Sequence, residues 1–221
     1  MENLYNKASL VLTPQMVEAG KVYSMKPEDR KGDFTFSRAS AATRVGADGN
    51  IEKETSNLLL QSNSFDTTWL NSSSTETGGQ AGYDGSSDAW LLSKAAASGR
   101  INQSVSLSGV QTLSIYAKAG TLNWLRLITI GGTTSSTYYD LENGVIGANT
   151  SSIDTNIESV GNGWYRCSVT TNQPLTEVRI YPADGDNDTS STSGNILIQD
   201  AQLEQGLVAR DYIETTTAAV Y

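Results

Sequence analysis

The sequence predicts an all-β protein, an antiparallel β-sandwich or jelly roll preceded by a small extended N-terminal segment. Three observations carry that expectation. Strand-like runs recur at short intervals, polar turns rich in Gly, Ser, Thr and Asn separate them, and no stretch keeps a helical period beyond a turn or two. Four prolines and 20 glycines in 221 residues suit short strands joined by turns. No repeat period appears.

Residues 1–32 are weakly patterned, with short strands expected at A-S-L-V-L-T-P and K-V-Y-S-M-K-P and a charged turn at P-E-D-R-K-G-D. Leu10, Val11, Leu12, Val17, Val22 and Tyr23 are too few to form a core alone. Each gains about 1.5–3 kcal/mol when fully buried, so burial against another surface is expected. Residues 33–54 place a strand at D-F-T-F-S-R, a turn at A-D-G-N and a strand at I-E-K-E. From residue 56 the texture changes. An apolar run, N-L-L-L-Q-S-N, reads as the first strand of a larger domain and is followed by a polar, glycine-rich loop. Eight further strands are expected at 88–94, 100–107, 111–118, 123–130, 136–141, 163–170, 177–182 and 195–204. Ile101, Gln103, Val105 and Leu107 share one face, as do Val178 and Ile180. Turns fall at L-E-N-G-V and V-G-N-G-W.

Composition narrows the chemistry. Fifteen basic against 24 acidic residues give a net charge of −9, which argues against a nucleic-acid partner because phosphate binding needs a basic surface. No histidine is present, which removes Ser-His-Asp and Cys-His catalysis and histidine metal sites. Carboxylate, Tyr or Lys chemistry and oxygen-ligated ions stay open. The single cysteine, Cys167, excludes an intrachain disulfide and reads as a small buried residue. Residues 1–20 lack a signal-peptide pattern, and no apolar run is long enough for a membrane helix, so no membrane partner is expected.

Three stretches carry a resemblance. N-L-L-L-Q-S-N-S-F-D-T-T-W at 57–69 and I-L-I-Q-D-A-Q-L-E at 196–204 are similar to the opening and closing patterns of carbohydrate-binding-module-like jelly rolls. F-T-F-S-R-A-S-A-A-T-R-V-G-A-D-G-N-I-E at 34–52 resembles the motif ahead of such domains in bacteriophage virion proteins, and L-E-Q-G-L-V-A-R-D-Y-I-E-T-T resembles their closing stretch. The resemblance implies an N-terminal attachment and assembly segment at 1–55, a jelly roll at 56–206 and a tail at 207–221 that closes on the domain or a neighbouring subunit. It also implies a virion location, capsid or tail proteins as partners and a homotrimer. The expected function is a non-enzymatic head or tail fibre or decoration subunit. The rival is a carbohydrate-binding adhesin that recognises host or environmental glycans.

The candidate site residues follow from these readings. Arg38 and Arg44 flank a loop of small residues near Asp48, Glu52 and Glu54, and are expected to pin it through carboxylate pairs within or between subunits, with contact to an anionic glycan or a neighbouring subunit as the alternative. Trp69, Tyr138 and Tyr139 are the candidates for glycan contact, although Trp69 also fits a cap on the sandwich and only one of the tyrosines can face the core. The resemblance implies a structural calcium held by Asp66 and Asp200, with a hydrogen-bonded, metal-free Asp200 as the other reading. D-G-D-N-D at 184–188 reads as an exposed acidic turn with the oxygen density, but not the pattern, of a calcium loop.

Overall fold

The computed structural model describes residues 12–18, 21–24, 34–35, 43–45, 51–53 and 55–220. The chain divides into two compact units, Met1–Glu54 and Thr55–Val220. In the first, β1 (Leu12–Glu18) and β2 (Lys21–Ser24) pair antiparallel, and β3 (Phe34–Thr35) adds to β2. A second antiparallel pair, β4 (Thr43–Val45) and β5 (Ile51–Lys53), flanks the A-D-G-N turn signal.

The larger unit is all β. Its strands are β6 (Leu70–Ser72), β7 (Ser74–Gln80), β8 (Ala89–Lys94), β9 (Arg100–Leu107), β10 (Gln111–Ala119), β11 (Trp124–Gly131), β12 (Ser135–Asp140), β13 (Val145–Thr150), β14 (Asp154–Gly161), β15 (Trp164–Thr171), β16 (Leu175–Ala183) and β17 (Gly194–Gln205). They form two six-stranded antiparallel sheets, ordered β14-β15-β10-β17-β8-β7 and β13-β12-β11-β16-β9-β6. The inner orders, β8-β17-β10-β15 and β9-β16-β11-β12, are those of an eight-stranded jelly roll, in which the chain crosses between sheets at almost every step. The hairpin strands β13 and β14 extend one edge, and β6 and β7 extend the other.

Alternation along the strands builds the core. Leu113, Ile115 and Ala117 of β10 point inward with Cys167 and Val169 of β15, and meet Leu125, Leu127, Val178 and Ile180 of the opposite sheet. Cys167 is wholly buried, and burial pushes its thiol well above the usual range. The β14–β15 hairpin closes on Asn162 and Gly163, both at positive φ as a two-residue turn with the twist of its strands requires. At the β12–β13 turn the Asp140 carboxylate accepts from the Glu142 and Asn143 amides at 2.9 and 3.1 Å.

Each of the eight expected windows holds a strand, but three features differ from the expectation. Leu58–Leu60 is not a strand. It runs as an irregular segment beside β17, with the Leu58 amide donating to the Leu203 carbonyl at 2.8 Å. Second, β6 and β7 form from L-N-S and S-T-E-T-G-G-Q, in a stretch that reads as loop. Third, β13 and β14 went unforeseen. These four strands lie at sheet edges and carry mostly exposed or half-exposed side chains, so their hydrophobic alternation is weak.

Candidate functional site

The two ends of the larger unit are sewn together by one asparagine. Asn57 is wholly buried. Its Nδ2 donates to the carbonyls of Ala201 and Ile213 at 3.0 and 2.9 Å, and its Oδ1 accepts from the amides of Leu59 and Leu203, each at 3.2 Å. The seam continues where the Ser62 and Tyr212 hydroxyls meet at 2.6 Å and Thr215 donates to the Leu59 carbonyl at 2.6 Å. Val220 and Asn57 then exchange a pair of backbone bonds at 2.9 Å. Residues 212–220 thus close on the same domain.

Asp200 sits in this seam, within the register slip of β17 against β10 between Gln199 and Gln202, with φ at 54°. The bulge turns its carboxylate beneath Tyr83, whose hydroxyl donates to Oδ2 at 3.0 Å. Tyr83 is held flat on Tyr116, ring centroids 3.8 Å apart, and meets Trp164 edge-on at 6.3 Å. Burial pushes the Asp200 carboxyl up to about 7; the Tyr83 hydrogen bond opposes the shift, and the nearby charges of Asp88 and Asp84 add to it. The same burial, with the Asp200 charge beside them, holds the Tyr83 and Tyr212 hydroxyls protonated far above neutrality.

An open groove lies on the outer face of the same sheet. Its floor is Asp154, Asn156 and Glu158 of β14 with Arg166, Ser168 and Thr170 of β15, and its wall is Leu207–Ala209. The wall is fixed by hydrogen bonds from Arg166 to the Arg210 carbonyl and from the Arg210 amide to Glu204 at 2.8 Å. Its volume of about 210 Å³ is below the roughly 300–1,000 Å³ usual for small-molecule pockets. Asp154 and Glu158 are four residues apart on one strand, so a rise of about 3.3 Å per residue sets their Cα atoms about 13 Å apart.

The expected site residues are placed as follows. Arg38 lies outside the described residues; Arg44 is on β4, with its backbone directly opposite Glu52. The three aromatic candidates for glycan contact are corrected. Trp69 is 4% exposed, inside the core, and donates its indole N–H to the Gln61 carbonyl at 3.2 Å. Tyr139 faces inward and donates to the Ser168 carbonyl at 2.7 Å. Tyr138 faces outward, yet is 3% exposed because Arg126 covers its ring. None of the three offers a face to a sugar.

Of the expected calcium pair, Asp200 is the buried member. Asp66 is exposed, and the carboxylates crowding Asp200 are Asp84 and Asp88. Among the described residues no group of three or more acidic or cysteine side chains is placed to hold a metal. In D-G-D-N-D the protein supplies its own cation. The Lys94 side chain is wholly buried, with its ammonium 3.3 Å from Asp184 and 3.1 Å from the Thr189 carbonyl. The loop amides and hydroxyls satisfy the rest: Ser191 donates to Asp184 and Ser190 to Asp188. Sequence reasoning missed Tyr83, Tyr212 and Lys94. Only Tyr212 had a signal, its place in the closing stretch D-Y-I-E-T-T.

No protein-family model matches the chain, and no curated protein matches it. Among solved structures it is similar to the enzymatically active domain of tailspike protein 4 of bacteriophage CBA120, at 18% identity and a TM-score of 0.41. The match covers 66% of this chain and 21% of that one, so it spans about a fifth of the tailspike chain. That structure's description as enzymatically active overturns the expectation of a non-enzymatic protein, which we do not keep. The activity is that protein's, and a likeness of this degree assigns none to this chain.

Proposed function

We propose that the protein is a bacteriophage surface protein, a head or tail fibre or decoration subunit in which residues 1–55 serve attachment and the jelly roll is presented outward. One observation supports this reading. The stretches through which the chain resembles virion proteins, 57–69 and 196–216, meet in a single seam: Asn57 bonds to Ala201, Leu203 and Ile213, and Ser62 bonds to Tyr212. The shared residues are those that close the domain, so the resemblance lies in how the fold is held together. The homotrimer belongs to the same proposal.

Immunogold labelling of intact phage particles with antibody against the purified chain tests the location. Regular label on heads or tails is the expected result. Label that appears only after particles are disrupted would overturn a surface role. Light scattering on the purified chain tests the trimer, and a monomer at all concentrations would remove it.

A further inference from the structure

The outer face of the sheet β13-β12-β11-β16-β9-β6 carries a row of alternating tyrosines and arginines. Arg126 on β11 is directly opposite Tyr138 on β12 and Tyr181 on β16. Ile180 is opposite Ile101, which sets Tyr181 beside Arg100 of β9. The neighbouring residues Leu125, Tyr139, Ile180 and Ile101 are in the core, so this row faces away from it. The Arg126 guanidinium lies 4.9 Å from the Tyr138 ring centroid and 5.4 Å from that of Tyr181, and the Arg100 guanidinium lies 5.6 Å from Tyr181. Both tyrosines are 3% exposed, whereas both arginines keep part of their surface open. The rings therefore act as beds that hold two guanidiniums flat.

Neither guanidinium has a carboxylate in direct contact among the described residues. Among the described residues the ion pairs are Lys94–Asp184 and Arg179–Glu177, and neither Arg100 nor Arg126 makes one. Arg126 donates Nε to the neutral Ser136 hydroxyl at 2.9 Å, and the Arg100 Nε is buried without an acceptor. Arginine does not shed its proton to escape such a position. In a chain with 24 acidic and 15 basic residues, two half-buried arginines share one tyrosine ring without a carboxylate in ion-pair contact, although the charges of Asp186 and Asp188 reach Tyr138 at the other end of the row. The next outward position of β16 makes the contrast: Arg179 is gripped by both oxygens of Glu177, at 2.9 and 3.0 Å.

We propose that Arg100 and Arg126 bind an acidic polysaccharide through carboxylate or sulfate groups, one at each guanidinium. A planar fork of N–H donors matches either oxyanion bidentately. The two arginines stand two strands apart, about 10 Å. That is close to the advance of two sugar units along an extended glycan, so alternate acidic units on one side of the polymer meet successive arginines. The net charge of −9 repels such a polymer at long range, but that repulsion is screened beyond about 8–10 Å at physiological salt, whereas direct contacts are screened much less. This assignment does not depend on where the protein sits in a particle.

Calorimetry on the full chain tests it with five probes: a galacturonic acid hexamer, a heparin hexasaccharide, a neutral maltohexaose, inorganic sulfate and a single-stranded oligonucleotide. At least one acidic hexamer binds, more weakly as salt rises, and which one binds tells carboxylate from sulfate as the preferred group. Arg126→Gln and Arg100→Gln each weaken that binding at least tenfold, and Arg126→Lys, which keeps the charge but loses the fork, falls between. Melting curves confirm that each variant folds; if Arg126→Gln does not, Arg100→Gln and Arg126→Lys carry the test. Equal binding of maltohexaose, tighter binding of the oligonucleotide, binding of sulfate alone, silence from both acidic hexamers, or binding that survives the folded variants would each overturn the assignment.

Discussion

Replacing Asp200 by Asn should stabilise the protein at pH 8 and leave it nearly unchanged at pH 4. The substitution suits the backbone, because Asn tolerates the φ of 54° at this position and its carbonyl oxygen can still accept from Tyr83. The native carboxyl titrates near 7, raised from 3.8 chiefly by burial, so the folded state holds a proton that the unfolded chain has released. Stability attributable to this group is therefore full below about pH 4 and declines as pH rises towards 7. Above that the penalty is constant. The difference of about three units corresponds to about 4 kcal/mol as a ceiling, and screening through the open side of the site reduces it to roughly 2–4 kcal/mol. Tyr83, Asp84 and Asp88 from the covering loop and Tyr212 from the closing stretch face the group, and Glu214 acts on Tyr212. The tyrosines stay protonated over this range, and Asp84, held low by the Ser86 hydroxyl, stays charged above its lowered pKa. Urea unfolding of native and variant protein at pH 4, 5.5, 7 and 8 gives the difference directly and cancels the titration of other acids. A difference that does not change with pH, or one that favours the native protein more as pH rises, would refute the buried-proton account.

Asn57→Ala removes four hydrogen bonds at once and strands buried backbone groups that cost about 1–3 kcal/mol each, so a loss of at least 4 kcal/mol in urea unfolding is expected, with no folded protein as the extreme. Lys94→Met leaves Asp184 beside the space of a lost ammonium and should cost about 3 kcal/mol, the lower end for breaking a buried pair because Asp184 keeps some exposure. A matching Asp184→Asn should recover part of that loss when combined with it. Gly131→Ala drives a Cβ into the Pro174 carbonyl oxygen, where β11 and β16 slip register, and should lower the melting temperature by several degrees; an unchanged melt would mean that the bulge yields freely.

The parts of this fold that were legible in the sequence are those where one residue type satisfies one local demand. Alternation in R-I-N-Q-S-V-S-L and E-V-R-I-Y-P marks strands because one face must be apolar, and N-G in V-G-N-G-W marks a turn because both residues need positive φ. Leu58–Leu60 defeats the same logic. Its apolar run is real and Leu59 is wholly buried, but its backbone bonds go to the Leu203 carbonyl and to the side chains of Asn57, Gln103 and Thr215 in an irregular path, and an apolar run alone does not distinguish that path from a strand. Register is the harder loss. Tyr138 and Tyr139 stand out as an aromatic pair, yet what removes Tyr138 from solvent is Arg126 on the adjoining strand, twelve residues away in the chain. Lys94 and Asp184 meet across ninety residues, and that contact converts an apparent cation loop into an ion pair. The Tyr138–Arg126–Tyr181–Arg100 row draws one residue from each of four strands, none exceptional in its own neighbourhood. A site written across strands becomes visible only when pairing is known, because its spacing is set by the distance between strands and not by separation along the chain. For a jelly roll, whose neighbours in a sheet are often far apart in sequence, the outer sheet faces are where chemistry stays hidden until the fold is solved.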